Sequence, residues 1–231
     1  MSKGYTGSHM NKLAVLVAVL AAPFLLAATP AAGHLYGRFS DGVYLAPGKL
    51  FKMSAPFPDD PVVSDGRQPE NNNAGAVSFI DMTGRLNGVL YMEDEDKTIA
   101  SGEGDSTRHL ADWFRDTGFP RFFQSGVPDA KVLRDEAGTI AGKPAWIAVA
   151  HVPNSSPLGL SAKDSYEVQR NDSWRGLAVV AHGKHYYLLQ TELRIGKLAA
   201  PDWSYDSDAA TWNAFVPELE ALYGRIEFLK P

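Results

Sequence analysis

The densest group of side chains able to do chemistry is an acidic run, Glu93-Asp94-Glu95-Asp96, with Glu103 and Asp105 a few residues on. Carboxylates with neighbouring loop carbonyls supply the oxygen ligands that a hard cation such as Ca²⁺ takes. The run lacks a D-x-D-x-D-G loop with a later Glu, and such runs are ordinarily the solvated ends of strands. His182 and His185 bracket Gly183-Lys184. Two imidazoles at a hairpin tip could bind Zn²⁺ or Cu²⁺, but only with a third ligand that the local sequence does not offer. The candidate metal ligands are therefore His182, His185, Glu93, Asp94, Glu95 and Asp96, and the expectation is that no cofactor is resident. His109 reads as a lone helix histidine and His151 as a lone strand histidine.

Covalent catalysis finds little support. The chain has no cysteine, which removes thiol nucleophiles and Cys-based zinc sites. G-x-S-x-G is absent, since Gly159-Leu160-Ser161-Ala162 lacks the second glycine, and S-x-x-K and H-E-x-x-H are absent too. Gly102-Glu103-Gly104 lacks the lysine of a phosphate loop and would repel phosphate through its acid. A carboxylate pair for glycoside cleavage stays open, because such pairs meet only in the fold.

The aromatic residues divide by their surroundings. Trp113, Trp146, Trp212, Phe122 and Phe123 are expected in the core, whereas Trp174, Trp203 and Tyr205 lie among polar, loop-like residues. The latter three are the candidate partner contacts, against the plainer reading that they pin loops to the body of the domain.

What precedes these residues indicates where they work. Residues 1–9 read as an expression-tag remnant ending in Gly7-Ser8-His9, with Met10 as the natural start. Lys12, the apolar run Leu13 to Leu26 and the small residues ending Ala31-Ala32-Gly33 then have the form of a secretory signal peptide over residues 10–33. The run, about 14 residues, is short of the ~20 that span a bilayer, though an uncleaved anchor is the alternative. The expected location is periplasmic or secreted. Residues 34–231 then form one domain, large enough for a sizeable core. Lys3 and Lys12 precede His34 and all 27 acidic residues follow it, giving a mature formal charge of about −7. An acidic surface is a poor match for nucleic acid or for an anionic membrane, so neither is expected as a partner after signal cleavage. Without disulfides in an oxidising compartment, stability must come from an ordinary core.

The elements that must position these groups are mostly strands. Ala76 to Met82 and Leu86 to Met92 flank Thr83-Gly84-Arg85 as a hairpin; Lys131 to Asp135 and Thr139-Ile140 are expected to flank a turn at Glu136-Ala137-Gly138. Lys49 to Met53 and Ala145 to Val152 read as further strands. Gly176 to Ala181 and His185 to Leu193 form the clearest hairpin, its second strand apolar on both faces. Two long stretches, Ala55 to Asn73 and Pro153 to Ser173, read as loops. One helix is expected from Ser106 or Thr107, ending at Gly118 before Pro120. A second carries Trp212, Phe215, Val216, Leu219, Leu222 and Tyr223 at helical spacing, with Pro217 either in its first turn or kinking it. Arg225 to Leu229 reads as a short returning strand. Hairpins with two amphipathic helices and no βαβ alternation predict an α+β fold, an antiparallel β-sheet flanked by helices.

The order of these elements resembles the PsbP-like domains, which share a fold with the Ran-binding Mog protein. The resemblance is carried by Tyr44-Leu45-Ala46-Pro47-Gly48-Lys49-Leu50-Phe51 and by the helix with Trp113-Phe114. It continues through Thr139-Ile140-Ala141-Gly142-Lys143-Pro144-Ala145-Trp146, Gly183-Lys184-His185-Tyr186-Tyr187-Leu188, and the closing helix and strand from Trp212 to Phe228. It implies an antiparallel sheet with helices and a binding or assembly role without a catalytic motif. It transfers no functional residues, and the two long loops depart from the pattern. The resulting expectation is an exported, non-enzymatic domain that binds a protein in the cell envelope. The alternatives are a metal-dependent or carboxylate hydrolase acting on envelope polymers and a calcium-stabilised surface module.

Overall fold

The computed structural model describes residues 35–59, 61–67, 74–81, 85–95, 99, 106–155, 172–192 and 209–229. Trp203, Tyr205, Asp96, Glu103, Asp105 and the signal segment lie outside them.

The hairpin read from Gly183-Lys184 is the centre of the molecule. Strands β9 (Ser173–His182) and β10 (His185–Glu192) pair antiparallel with His182 opposite His185. Gly183 has φ 59°, a left-handed turn conformation that glycine takes without strain. Every residue of β10 is buried. Successive residues of a strand point to opposite faces, so an uninterrupted apolar run such as Tyr186-Tyr187-Leu188-Leu189 is stable only if both faces are covered.

Around this pair stands a seven-stranded antiparallel sheet. β6 (Leu86–Glu93) lies beside β10 and leads to β5 (Ala74–Ile80) and β4 (Val62–Arg67); β8 (Lys143–Val152) lies beside β9 and leads to the edge strand β7 (Lys131–Ile140). One face packs Leu188, Tyr186, Leu90 and Val179 against helix α1 (Ser106–Trp113) and the turns that follow it, where Trp113 stacks on Tyr186 with ring centroids 4.5 Å apart. The other face packs Leu189, Tyr187, Val89 and Val180 against Trp212, Phe215, Leu219 and Leu222 of helix α2 (Ala209–Tyr223). The rest of that face is covered by a four-stranded sheet of β1 (Arg38–Ser40), β2 (Val43–Leu45), β3 (Phe51–Ser54) and β11 (Ile226–Phe228), which contributes Tyr44, Phe51 and Met53. Leu188 and Leu189, both fully buried, thus anchor opposite layers, and truncating either to alanine is worth about 2–5 kcal/mol. The architecture is α+β, with antiparallel sheets and helices on both faces of the larger one.

Three local expectations are corrected, and one open alternative is decided. No turn forms at Glu136-Ala137-Gly138: β7 runs unbroken to Ile140, those residues pair with Ile147, Trp146 and Ala145, and the chain reverses at Ala141-Gly142. Those two residues have φ of 49° and 73°, whereas a side chain on Gly138 would meet Ile147 Cδ1 at 2.6 Å. That glycine serves packing rather than a turn. The stretch Ala55 to Asn73 is not all loop, because β4 forms within it. Helical structure does not end at Gly118; it continues through wider turns over Phe114–Gly118 and Pro120–Gln124, with the Phe119 amide donating to the Phe114 carbonyl. A widened turn accommodates the missing Pro120 amide. Finally, α2 begins well before Val216, so Pro217 sits inside it and one helical carbonyl goes without its bond.

Candidate binding site

The sheet has two polar ends. At the β9–β10 turn, the register sets His182, His185 and Glu93 on three adjacent strands. Their side chains are taken up by the fold. The His182 ring stacks on Phe228 at 4.0 Å between centroids, clamping β11 to the large sheet. His185 is buried beside Tyr187. Burial pushes both imidazoles below the ordinary histidine range, aided at His182 by Lys143; at His185, Glu93 pulls back while Lys184 and His182 push further down. Glu93 pairs with Lys184 at 2.5 Å. Asp94 is buried, its Oδ2 accepting the Ile99 amide at 2.6 Å, and Glu95 is exposed. The structure therefore brings His182, His185 and Glu93 together but points Asp94 into a turn. Among the described residues, no three His, Asp or Glu side chains gather as a metal-binding group.

At the opposite end, Trp174 is the one partner-contact candidate within the described residues, and it lies in β9 rather than in a loop. It stands across from His151 of β8, with ring centroids 5.1 Å apart. His151 Nε2 is hydrogen-bonded to Asp172 Oδ2 at 2.9 Å, and Asp172 Oδ1 accepts the Asn154 amide at 3.1 Å. Asn154 has φ 51°, a conformation that asparagine tolerates better than most residues. Burial raises the Asp172 carboxyl, but the Asn154 amide, the His151 hydrogen bond and the His151 charge outweigh it and hold the group below the usual carboxylate range. The result is a half-buried indole and imidazole fixed in place by an exposed carboxylate. Such a group presents aromatic surface and hydrogen-bonding capacity with little left to order on binding. It does not complete a nucleophilic site with Ser155, whose hydroxyl is buried and donates to the Val152 carbonyl at 2.8 Å.

Behind Trp174, on the other face, the next residue is Arg175, 1% exposed. Its Nε donates to Ser173 Oγ at 2.6 Å, one Nη to Gln190 Oε1 and the other to the Ser155 carbonyl, both at 3.1 Å. Ser173 in turn donates to Glu192 Oε1 at 3.1 Å, while buried Glu192 Oε2 has no hydrogen-bond partner among the described residues. Desolvation lowers the guanidinium's affinity for its proton, and Glu192 raises it. This network holds the strand ends carrying the Trp174 group.

Sequence reasoning missed His151, Asp172 and Arg175 as a unit. The pairing of β8 with β9 joins residues 21 apart across a long connection, so only strand register reveals it. Trp146, expected in the core, is half-exposed: Arg115 lies over its ring at 4.8 Å and its indole N–H donates to Asp135.

No family model matches the chain, and no curated protein matches it. Several solved structures are similar in fold, two of them as follows. One is cyanobacterial PsbP (CyanoP) from Synechocystis sp. PCC 6803, with 12% identity and a TM-score of 0.44, covering 88% of this chain and 99% of that one. The other is a protein from Bacteroides thetaiotaomicron, with 8% identity and a TM-score of 0.40; 83% of this chain is covered, and it spans 50% of that protein. The likeness is a weak, PsbP-like one of fold.

Proposed function

We propose that this chain is an exported, non-enzymatic domain that docks a protein partner in the bacterial envelope, and that Trp174 with His151 and Asp172 forms its contact. The observation that carries the reading is the fixed, partly exposed Trp174–His151 pair at the end of a rigid sheet, held by Asp172. The signal-like residues 10–33 support export, and the acidic composition favours a protein over nucleic acid or lipid as the partner.

The test is capture from envelope extract by the chain beginning at His34, beside Trp174→Ala. The expected result is one or more proteins retained by the unaltered chain and held about tenfold or more weakly by the variant, as for an aromatic hot spot. Equal capture by both would remove Trp174 from the contact. Hydrolysis of an envelope polymer that disappears in His151→Ala would replace the binding role with the hydrolase alternative.

A further inference from the structure

Trp146 and Trp174 stand on neighbouring strands of the large sheet, β8 and β9, and each is only half-buried. Each also has an aspartate at hand, and Trp146 shows how this fold completes such a pair. Its indole N–H donates to Asp135 Oδ2 at 3.0 Å, and the same oxygen accepts Arg115 Nε at 2.8 Å. The Arg115 guanidinium lies 4.8 Å from the centre of the ring. The carboxylate holds one edge of the guanidinium and the indole meets its flat face. A guanidinium lies over Trp212 as well, where Arg134 is 4.0 Å from the ring centre.

At Trp174 the carboxylate is Asp172. Both residues rest against His151, Asp172 through a hydrogen bond of 2.9 Å and Trp174 through a ring contact at 5.1 Å. The His151 ring and the Asn154 amide each engage one oxygen of Asp172, so the carboxylate is oriented. Each oxygen keeps a second lone pair for another donor. The Asp172 side chain is 44% exposed, and its carboxyl is held below the usual range by the Asn154 amide and by His151. With His151 neutral, the group carries one negative charge at the solvent edge. The cation nearest in strand register is Lys131 of β7, opposite His151; its side chain is exposed, and among the described residues the ion-pair partner of Asp172 is His151.

We propose that the group the partner brings to this contact is an arginine, whose guanidinium pairs with Asp172 and lies on the exposed part of the Trp174 ring. The proposal rests on the reading of Trp174 as the partner contact and adds the chemistry of what it meets. Charge favours this occupant: the chain has 27 acidic residues against 22 Lys and Arg, so its field draws basic surfaces. A lysine ammonium would satisfy the carboxylate but, being a compact point charge, would not stack flat on the indole. A sugar would use the indole and gain nothing from the charge beside it.

The probe is the capped tripeptide acetyl-Gly-Arg-Gly-amide, beside the same peptide with citrulline, which keeps the shape and loses the charge. It is titrated into isotope-labelled protein by nuclear magnetic resonance, with the Trp174 indole signal assigned by its loss in Trp174→Phe. The arginine peptide should shift the Trp174 indole and Asn154 amide signals. The citrulline peptide should need about tenfold or more higher concentration for the same shift, because the bond to a charged group is missing. Asp172→Asn should bind the arginine peptide about as weakly as the unaltered protein binds the citrulline one, and added salt should narrow the difference between the peptides. Equal response to the two peptides, an undiminished response in Asp172→Asn, or a stronger response to chitotriose than to the arginine peptide would each overturn the proposal. These outcomes are separate from those of the envelope capture. Capture lost in Trp174→Ala but kept in Asp172→Asn would leave the contact and remove the arginine, whereas capture unchanged in Trp174→Ala would remove the contact itself.

Discussion

The two ends of the β9–β10 hairpin carry similar kinds of residue and use them oppositely. At the turn end, His182, Glu93 and Lys184 sit at or near solvent with the buried His185 beneath them, and each has one main neighbour: a ring stack for His182, an ion pair for Glu93 and Lys184, and Tyr187 for His185. At the far end, Arg175 and Glu192 are driven into the interior, opposite each other on adjacent strands and bridged by Ser173, and among the described residues one carboxylate oxygen has no hydrogen-bond partner. Polar residues at a tight turn cost little because water remains available. Charges among core strands are costly unless each finds partners, and stay costly to disturb once it does. The difference separates an end that fastens β11 from an end that orders the strands bearing Trp174.

The largest expected effect lies at the far end. Arg175→Met leaves Glu192 as an uncompensated buried charge and should cost about 3–5 kcal/mol in urea unfolding. Adding Glu192→Leu should recover most of that loss, since an apolar pair of similar volume needs no desolvation repaid. If the single substitution shifts the unfolding midpoint no more than a surface change does, the buried network does not hold the strand ends, and the contrast between the two ends fails.

That contrast was only half legible in the sequence. The turn at Gly183-Lys184, the hairpin around it and the doubly covered β10 follow from local pattern, because a tight turn and a run such as Tyr186-Tyr187-Leu188-Leu189 have few alternative folds. The end with Arg175 does not. Its meaning depends on which residues of β8 lie opposite Ser173 and Trp174, and that register is fixed by packing across the long connection from β8 to β9. Gly138 shows the same limit at smaller scale: glycine marks a turn by one rule and a close side-chain contact by another, and only Ile147 above it decides. Trp146, on the strand next to the sheet edge, packs only partly against the core, and Arg115 covers the rest of its ring, a contact that no local pattern shows.

A pH titration sharpens the comparison at the turn end. His182 and His185 have lowered affinity for protons in the folded chain, so the unfolded chain binds protons first as pH falls through the ordinary histidine value of ~6.5. Their contribution to stability is fully present above that value and is lost as pH falls towards their folded values. Unfolding free energy should therefore decline between about pH 7 and 5, and in His185→Gln the slope over that window should flatten. An unchanged slope would mean that the imidazoles are not held neutral by the fold.

The smallest effects belong to the exposed side of the far end, and they separate binding from stability. Asp172 is held ionised by Asn154 and His151, so its contribution is present above the ordinary carboxylate value and is lost as pH falls below it through the folded value. Asp172→Asn should remove that part of the acid slope, below about pH 4. Trp174→Ala should cost the fold less than Arg175→Met because its ring is only half-buried against His151. The two substitutions touch adjacent residues on opposite faces of one strand. If Trp174→Ala abolishes partner capture at nearly full stability, the outer face works as a contact surface and the inner face as its support. If Trp174→Ala is as destabilising as Arg175→Met, the indole is a structural anchor, and both faces of this strand end serve the fold alone.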